Sequence, residues 1–175
     1  MKIMKKAIIL IVILTGFVAT SFAQSNGTST TATSTATIIT PIGIGNSVDL
    51  AYGNLAVNAT AGTVLLPATL GTPTRVVTGG VTLPAVTGTV TAAKFTVTGQ
   101  TNSAYTIGLP ANGVVTITGA GTPMTVNNFV SSLTSNVGNT GTGSQDFYVG
   151  ATLGVAASQT AGTYTGQFTV LVNYN

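Results

Sequence analysis

The chain has 175 residues, of which five are basic and two are acidic, and it contains no His, Cys or Trp. Most general bases, nucleophiles and transition-metal ligands are therefore missing, so we expect neither an enzyme nor a zinc or copper site. Three of the basic residues lie within the first six positions, which leaves the rest of the chain without a basic surface for nucleic acid.

Residues 1–23 have the three-part pattern of a secretory signal peptide. Lysines near the N-terminus precede an uncharged apolar stretch at 7–19, and the small residues Ser21 and Ala23 follow it. The stretch is short for a membrane span of about 20 residues, so we expect cleavage after Ala23 in preference to a retained anchor. The pattern predicts a protein that is secreted or displayed at the cell surface, with no membrane span after cleavage.

The chain beyond the signal peptide divides into a leader and one domain. Residues 24–34 are rich in Thr and Ser and have no apolar residue larger than alanine, so we expect a flexible leader. Residues 35–175 are long enough for a single domain with a substantial core. Because Cys is absent, packing and strand pairing must stabilise this domain without disulfides.

Short β-forming segments separated by Gly, Pro, Asn and Ser follow the leader, and none shows a sustained helical period. Apolar residues recur at every second position in the longest segments, which places them on one face of a strand. The pattern predicts an all-β, immunoglobulin-like antiparallel β-sandwich with Greek-key connections. The predicted strands are 35–44, 47–52, 63–66, 74–78, 94–98, 104–109, 114–118, 145–155 and 163–174. The predicted core residues are Phe95, Ile107, Leu109, Phe147, Val149 and Phe168.

An Ala-Gly pair precedes Tyr164 near the start of the last predicted strand. This is the arrangement of a tyrosine corner, in which the hydroxyl bonds back to the main chain. An ordinary strand tyrosine fits the same short motif. Both interpretations direct Tyr164 towards the core.

Asp49 and Asp146 are the two acidic residues of the chain. Without His, Cys or Glu to tune their pKa values, they are not expected to form a catalytic pair, and they are too few for a calcium site. We expect Asp49 at a turn and Asp146 on a solvent-exposed face, with no cofactor bound.

Three segments of the chain resemble a known family. They are TATIITPIGIGNSVDLAYGNLAV, GTVTAAKFTVTGQTNSAYTIGLP and DFYVGATLGVAASQTAGTYTGQFTVLVNYN. In their order they resemble the bacterial domain-of-unknown-function family 4402 over nearly all of the chain beyond residue 23. The resemblance implies an exported immunoglobulin-like sandwich similar to spore-coat-U-like and fimbrial subunits. It implies no catalytic residues.

The C-terminus also resembles that of chaperone–usher pilins, which end in an alternating apolar strand with a penultimate aromatic residue and a glycine fourteen residues from the end. Tyr174 and Gly162 have these two positions. The resemblance implies a strand that pairs with a periplasmic chaperone and then lies beside a donor strand from a neighbour. An ordinary last strand of a complete sandwich is the alternative. The residues of this assembly strand are Gly162, Tyr164, Phe168, Val170, Val172 and Tyr174.

The sequence favours a structural subunit of a surface fibre, pilus or coat. Four charged residues serve the whole chain beyond the signal peptide, so little charge repulsion keeps copies apart. We expect association with itself or with other surface subunits by β-strand addition. The leader and segment 35–44 of one copy, with Ile38, Ile42 and Ile44 as the candidate donor residues, would pair beside the strand 163–174 of another. The alternative is that this segment folds back as the first strand of its own domain.

A secreted monomeric adhesin or carbohydrate-binding module is the second functional hypothesis. Such a module commonly presents exposed aromatic side chains on one face. Tyr52 and Tyr148 are the candidates for that role in this sequence.

The signal-peptide pattern predicts that the exported protein begins at Gln24. Intact-mass measurement of protein recovered outside the cytoplasm tests this directly. A mass that includes residues 1–23 would contradict the predicted cleavage.

Overall fold

The structure is a computed structural model in which residues 27–175 are described, so the predicted signal peptide and residues 24–26 lie outside the described residues. The chain divides into two units, Met1–Thr37 and Ile38–Asn175. The described residues of the first unit, 27–37, are exposed and have no strand or helix. The second unit begins at Ile38, a few residues after the predicted domain boundary at Thr35.

The second unit is built from antiparallel strands, which confirms the predicted all-β class. One short 3-10 turn, Thr134–Asn136, interrupts them. The strands are β1 (Gly43–Val48), β2 (Ala51–Tyr52), β3 (Ala56–Leu66), β4 (Val76–Thr82), β5 (Val90–Thr91), β6 (Ala93–Thr98), β7 (Ala104–Gly108), β8 (Val115–Ile117), β9 (Met124–Ser131), β10 (Val137–Asn139), β11 (Ser144–Val155) and β12 (Leu171–Tyr174).

The larger sheet is organised around β11, which is long enough to pair with three strands. At Val149 it pairs with β6 on one edge and β9 on the other. At Leu153 it pairs with β3 and again with β9, so β3 follows β6 along the same edge. A Cβ at Gly150, where the partner changes, would overlap the backbone of Leu66 and Ala68, so this position requires glycine. β1, β4 and β8 extend the sheet beside β6, β3 and β9.

A second sheet, in the order β10-β7-β12, packs against the larger one. One core cluster contains residues of β6 and β11 together with Tyr105 and Ile107 of β7, so the two sheets share a buried interface. A second cluster lies between β3, β4, β8, β9 and β11, beside the short β2-β5 pair. This two-layer arrangement is the predicted sandwich.

The predicted alternation of β11 is confirmed. Its inward residues are at most 5% exposed, and Phe147 stacks on Phe95 with 5.5 Å between the ring centroids. Burial of side chains of this size contributes roughly 1.5–3 kcal/mol each. The buried residues on this face are Phe147, Val149, Ala151, Leu153 and Val155.

Phe168 connects the two core clusters but is only half-buried. Its ring lies 6.2 Å from Phe95 and 5.0 Å from Phe129, measured between centroids. Leu109 is also half-buried. Both predicted core residues therefore pack against the core but are only partly buried, whereas Phe95, Ile107, Phe147 and Val149 are buried as predicted.

Several strand predictions need correction, and β5, β9 and β10 were not predicted. The predicted strand 35–44 begins only at Gly43, and the predicted strand 163–174 is a strand only from Leu171 to Tyr174. β9 was not predicted, because its inward alternation breaks at a bulge. Met124 and Val126 are buried, but Asn128 has φ = 50° and the next inward side chain is Phe129. A bulge inserts one residue and shifts the pattern to the other face.

Replacement of Phe168 by Ala should destabilise the domain by about 2–3 kcal/mol, because the side chain is half-buried and contacts both core clusters. Replacement of the fully buried Phe147 by Ala is the matched comparison and should cost about 3–5 kcal/mol. Chemical denaturation of both variants tests the order. Equal losses would show that Phe168 is as deeply packed as Phe147.

Candidate assembly groove

Residues 163–170 lie along the sandwich with almost no backbone pairing. Within the described chain their ladder contact is at Thr165, which exchanges two hydrogen bonds with Thr118, at 2.8 and 2.9 Å. The side chains nevertheless alternate as in a strand: Phe168, Val170 and Val172 point inward and the residues between them are exposed. The segment therefore has strand-like side-chain positions and a backbone that is paired only at Thr165.

This segment borders a groove of about 1290 Å³. The walls of the groove are two stretches that are distant in sequence, 46–57 and 159–169, and its floor consists of residues of β8, β9 and β11. We call this site the assembly groove. The buried floor residues are Val115, Met124, Val126, Leu153 and Val155.

The apolar floor of the assembly groove presents little accessible surface. Each buried floor residue is at most 7% exposed although the groove is open. An occupant would therefore contact mainly the walls of the groove.

Two buried polar atoms in the walls have no hydrogen-bond partner: the Tyr52 hydroxyl and Gln159 Oε1. They are the unsatisfied buried side-chain atoms found among the described residues. Tyr52 is 9% exposed, and its burial raises the pKa of the hydroxyl. The amide nitrogen of Gln159 donates to the Thr122 carbonyl at 2.6 Å, which fixes the side chain. A buried polar atom without a partner costs roughly 1–3 kcal/mol, so a partner here would be favourable.

Tyr164 has the geometry of a tyrosine corner. Its hydroxyl donates to the Thr160 carbonyl, four residues upstream, at 2.7 Å, and its ring packs against the second core cluster, between β3, β4, β8, β9 and β11. Gly162, just before it, has φ = 153°, a conformation that glycine adopts readily. The motif therefore orients the wall of the groove where the chain leaves β11.

Tyr174 joins the two ends of the domain. Its hydroxyl accepts a hydrogen bond from the backbone N–H of Gln100 at 2.6 Å and donates one to the backbone carbonyl of Thr40 at 2.9 Å. A Cβ at Gly99 would overlap this hydroxyl, so the glycine makes room for the contact. The penultimate residue thus fixes the chain just before β1.

The candidate donor residues separate into two groups. Ile38 is 97% exposed. Ile42 is half-buried against the first core cluster, which contains residues of β6, β11 and β7, and Ile44 pairs with Val97 as part of β1. From Gly43 onward the segment therefore folds back into its own domain, which was the alternative to donation, and Ile42 and Ile44 are not free.

The charged residues among 27–175 do not come together in one site. Lys94 and Asp146 form an exposed ion pair of 2.7 Å on the outer face of β6 and β11, as expected for Asp146. The hydrogen bonds from Lys94 and Thr96 lower the pKa of Asp146. Arg75 is buried and donates to the Tyr52 and Asn54 carbonyls at 2.6 and 2.9 Å, which supports one wall of the groove.

No group of three or more His, Cys, Asp or Glu side chains comes together within residues 27–175. The short helical turn in this part of the chain is neither long nor apolar enough to cross a membrane.

Residues 42–174 match a family profile described as Domain of unknown function (DUF4402). The chain belongs to the DUF4402 family. Comparison with curated proteins and with solved structures gives no significant match. The DUF4402 match includes the walls and floor of the assembly groove and begins just after the exposed residues Ile38 to Pro41.

The sequence did not indicate two of the groove residues that matter most. Tyr52 was a candidate for an exposed aromatic, and the structure corrects this because the side chain is buried. Gln159 stands in no recognisable motif, and its orphaned oxygen depends on the path of the chain after β11.

Replacement of Tyr174 by Phe should release the chain near Thr40, because both hydrogen bonds of the hydroxyl are lost while the ring remains. We expect faster hydrogen exchange at the backbone amide of Gln100 and a loss of about 1 kcal/mol in the free energy of unfolding. Tyr164→Phe is the matched control, since it removes a hydroxyl at the other end of the segment. Unchanged exchange at Gln100 in Tyr174→Phe would contradict this role.

Proposed function

We propose that the protein is an exported structural subunit of a bacterial surface fibre, pilus or coat, and that its copies assemble by β-strand addition at the assembly groove. The observation that carries this proposal is the open groove bordered by the unpaired backbone of residues 163–170. Unpaired N–H and C=O groups at an edge favour the addition of an extended segment.

The chain offers such a segment close to its N-terminus. Residues 27–37 are exposed and unpaired, and Ile38 is an almost fully exposed large apolar side chain. Since the compact unit begins at Ile38, removal of the preceding residues does not remove part of its sheets. Other surface subunits with a similar segment, or a periplasmic chaperone before assembly, would use the same edge.

The resemblance of the C-terminus to chaperone–usher pilins, and of the chain to spore-coat-U-like proteins, supports the same role. In chaperone–usher pilins the last strand borders the groove that a neighbour's donor strand fills. Residues 163–169 line the assembly groove, and Phe168 and the following Val170 point inward.

The second function, an adhesin or carbohydrate-binding module, has less support. Such a module would present exposed aromatic rings. Every Phe and Tyr within residues 27–175 is buried or half-buried, including both Tyr52 and Tyr148.

A catalytic role also has little support in this chain. Asp146 is held in an exposed ion pair with Lys94, and Asp49 lies on the surface at the rim of the groove. A general acid or base usually lies in an enclosed site beside a partner that can exchange its proton, and both carboxylates are exposed.

The proposal predicts that the exported protein self-associates and that association depends on the leader. Sedimentation velocity of the protein from Gln24 should show oligomers that grow with concentration. Replacement of residues 28–37 by a Gly/Ser segment of equal length should leave a folded monomer.

The equal length of the replacement is the control for linker effects, and circular dichroism checks that the domain is intact. A protein from Gln24 that stays monomeric at high concentration, with no fibres on cells, would contradict assembly and favour the monomeric binding module.

A further inference from the structure

Asn112 and Gly113 form an Asn-Gly pair just before β8. Asparagine is a chemically labile residue, because attack of the next main-chain nitrogen on its Cγ can expel the side-chain amide. Glycine at the next position hinders this attack least, since it has no Cβ. Asn112 is exposed, so water reaches the pair. An unconstrained chain with this pair would deamidate here.

The structure holds both reacting groups by hydrogen bonds to β9. The backbone N–H of Gly113 donates to Asn127 Oδ1 at 2.7 Å. Oδ1 of Asn112 accepts a hydrogen bond from the backbone N–H of Asn128 at 2.7 Å. Nδ2 of Asn112 donates to Asn128 Oδ1 at 3.2 Å. We call these three hydrogen bonds the amide clamp.

The amide clamp continues the contact between β8 and β9 where their backbone pairing ends. Val115 and Val126 are the last pair of the ladder on this side. Asn128 lies at the β9 bulge with φ = 50°, and a bulge locally disrupts a ladder. The side-chain oxygens of Asn112 and Asn127 accept the N–H groups that ladder carbonyls would otherwise accept. The clamp therefore fastens the start of β8, next to the floor of the assembly groove.

We propose that Asn112 is a deamidation site protected by the amide clamp, and that it is modified only when the start of β8 separates from β9. In this reaction the Gly113 nitrogen bonds to Cγ of Asn112, the Cγ–Nδ2 bond breaks, and the proton of the Gly113 N–H leaves with Nδ2 as ammonia. Water then opens the succinimide to aspartate or isoaspartate.

The clamp opposes this reaction at both of its reacting groups. The Gly113 N–H must lose its proton, yet its partner is the neutral amide oxygen of Asn127, which is not a base. Rotation of the Asn112 carboxamide towards the Gly113 nitrogen breaks its two hydrogen bonds to Asn128. Local opening of the three bonds must therefore precede the attack.

Peptide mass spectrometry of the full exported chain, incubated at neutral pH, measures the rate of deamidation at Asn112. The same chain unfolded in guanidinium chloride gives the rate of the unprotected site. The folded chain should react about tenfold more slowly or less, because the clamp must open first. Equal rates would overturn the proposal. A faster rate in the folded chain would also overturn it, and would show that the N–H bonded to Oδ1 activates Cγ.

A matched pair of variants tests the clamp itself. Asn127→Ala removes the acceptor of the Gly113 N–H and leaves the Asn-Gly pair intact, so it should raise the folded-state rate about threefold or more. Asn139→Ala is the control, because Asn139 Oδ1 accepts the backbone N–H of Gly141 at 2.8 Å in the smaller sheet. It should leave the rate at Asn112 within about twofold of the unmodified chain. An unchanged rate in Asn127→Ala would contradict the proposal.

A gentler variant separates local protection from global stability. Asn128→Gly retains the positive φ and the backbone N–H, and it removes only the acceptor of Asn112 Nδ2. The rate should rise less than in Asn127→Ala, with the melting temperature close to that of the unmodified chain. Rates that follow the melting temperature across all three variants would assign the protection to global folding and overturn the clamp. The readout comes from single domains, so it is independent of the proposed assembly.

Discussion

β11 is paired along both edges, and the rest of the sandwich is arranged by that pairing. Its first half pairs with β6 and its second half with β3, while β9 occupies the other edge. Each inward residue from Phe147 to Val155 is nearly or fully buried, so one strand contributes to both core clusters. The change of partner at Gly150 requires a position without a side chain, which is why a glycine interrupts an otherwise bulky strand.

The pairing that satisfies β11 does not extend to the end of the chain. After β11 the backbone turns through the Tyr164 corner and pairs only at Thr165 before β12 joins the smaller sheet. The Phe168 ring packs this stretch against both clusters, but side-chain packing provides no hydrogen bonds for the main-chain N–H and C=O groups. Backbone pairing is therefore continuous along β11 and sparse along residues 163–170, and this contrast is the basis of the proposed assembly.

Much of the fold could be predicted from alternation alone. Phe147 to Val155, Phe95 with Val97, and Tyr105 with Ile107 keep a period of two, and all are buried. β9 was not predicted because the bulge at Asn128 breaks that period. The side-chain oxygen of Asn112 stabilises the bulge by accepting a hydrogen bond from the Asn128 N–H at 2.7 Å. Such a contact between distant residues leaves no local signal.

The groove could be predicted only in part. Gly162 and Tyr164 line the groove, and both were identified from the sequence. The fold-back of Ile44 into β1 and the orphaned atoms of Tyr52 and Gln159 depend on which strands meet in space. Hydrophobic pattern alone treats 35–44 as one segment, whereas its pairing with β6 begins at Gly43.

The central claim is that the sandwich of a single copy lacks one strand beside residues 163–170. Hydrogen exchange of these amides, compared with those of β11 in the same sample, measures it most directly. In monomeric protein we expect fast exchange at Gly166–Val170 and strong protection in β11, with protection of both after assembly. Strong protection of Gly166–Val170 in the monomer would show that the sandwich is already complete and would contradict the account.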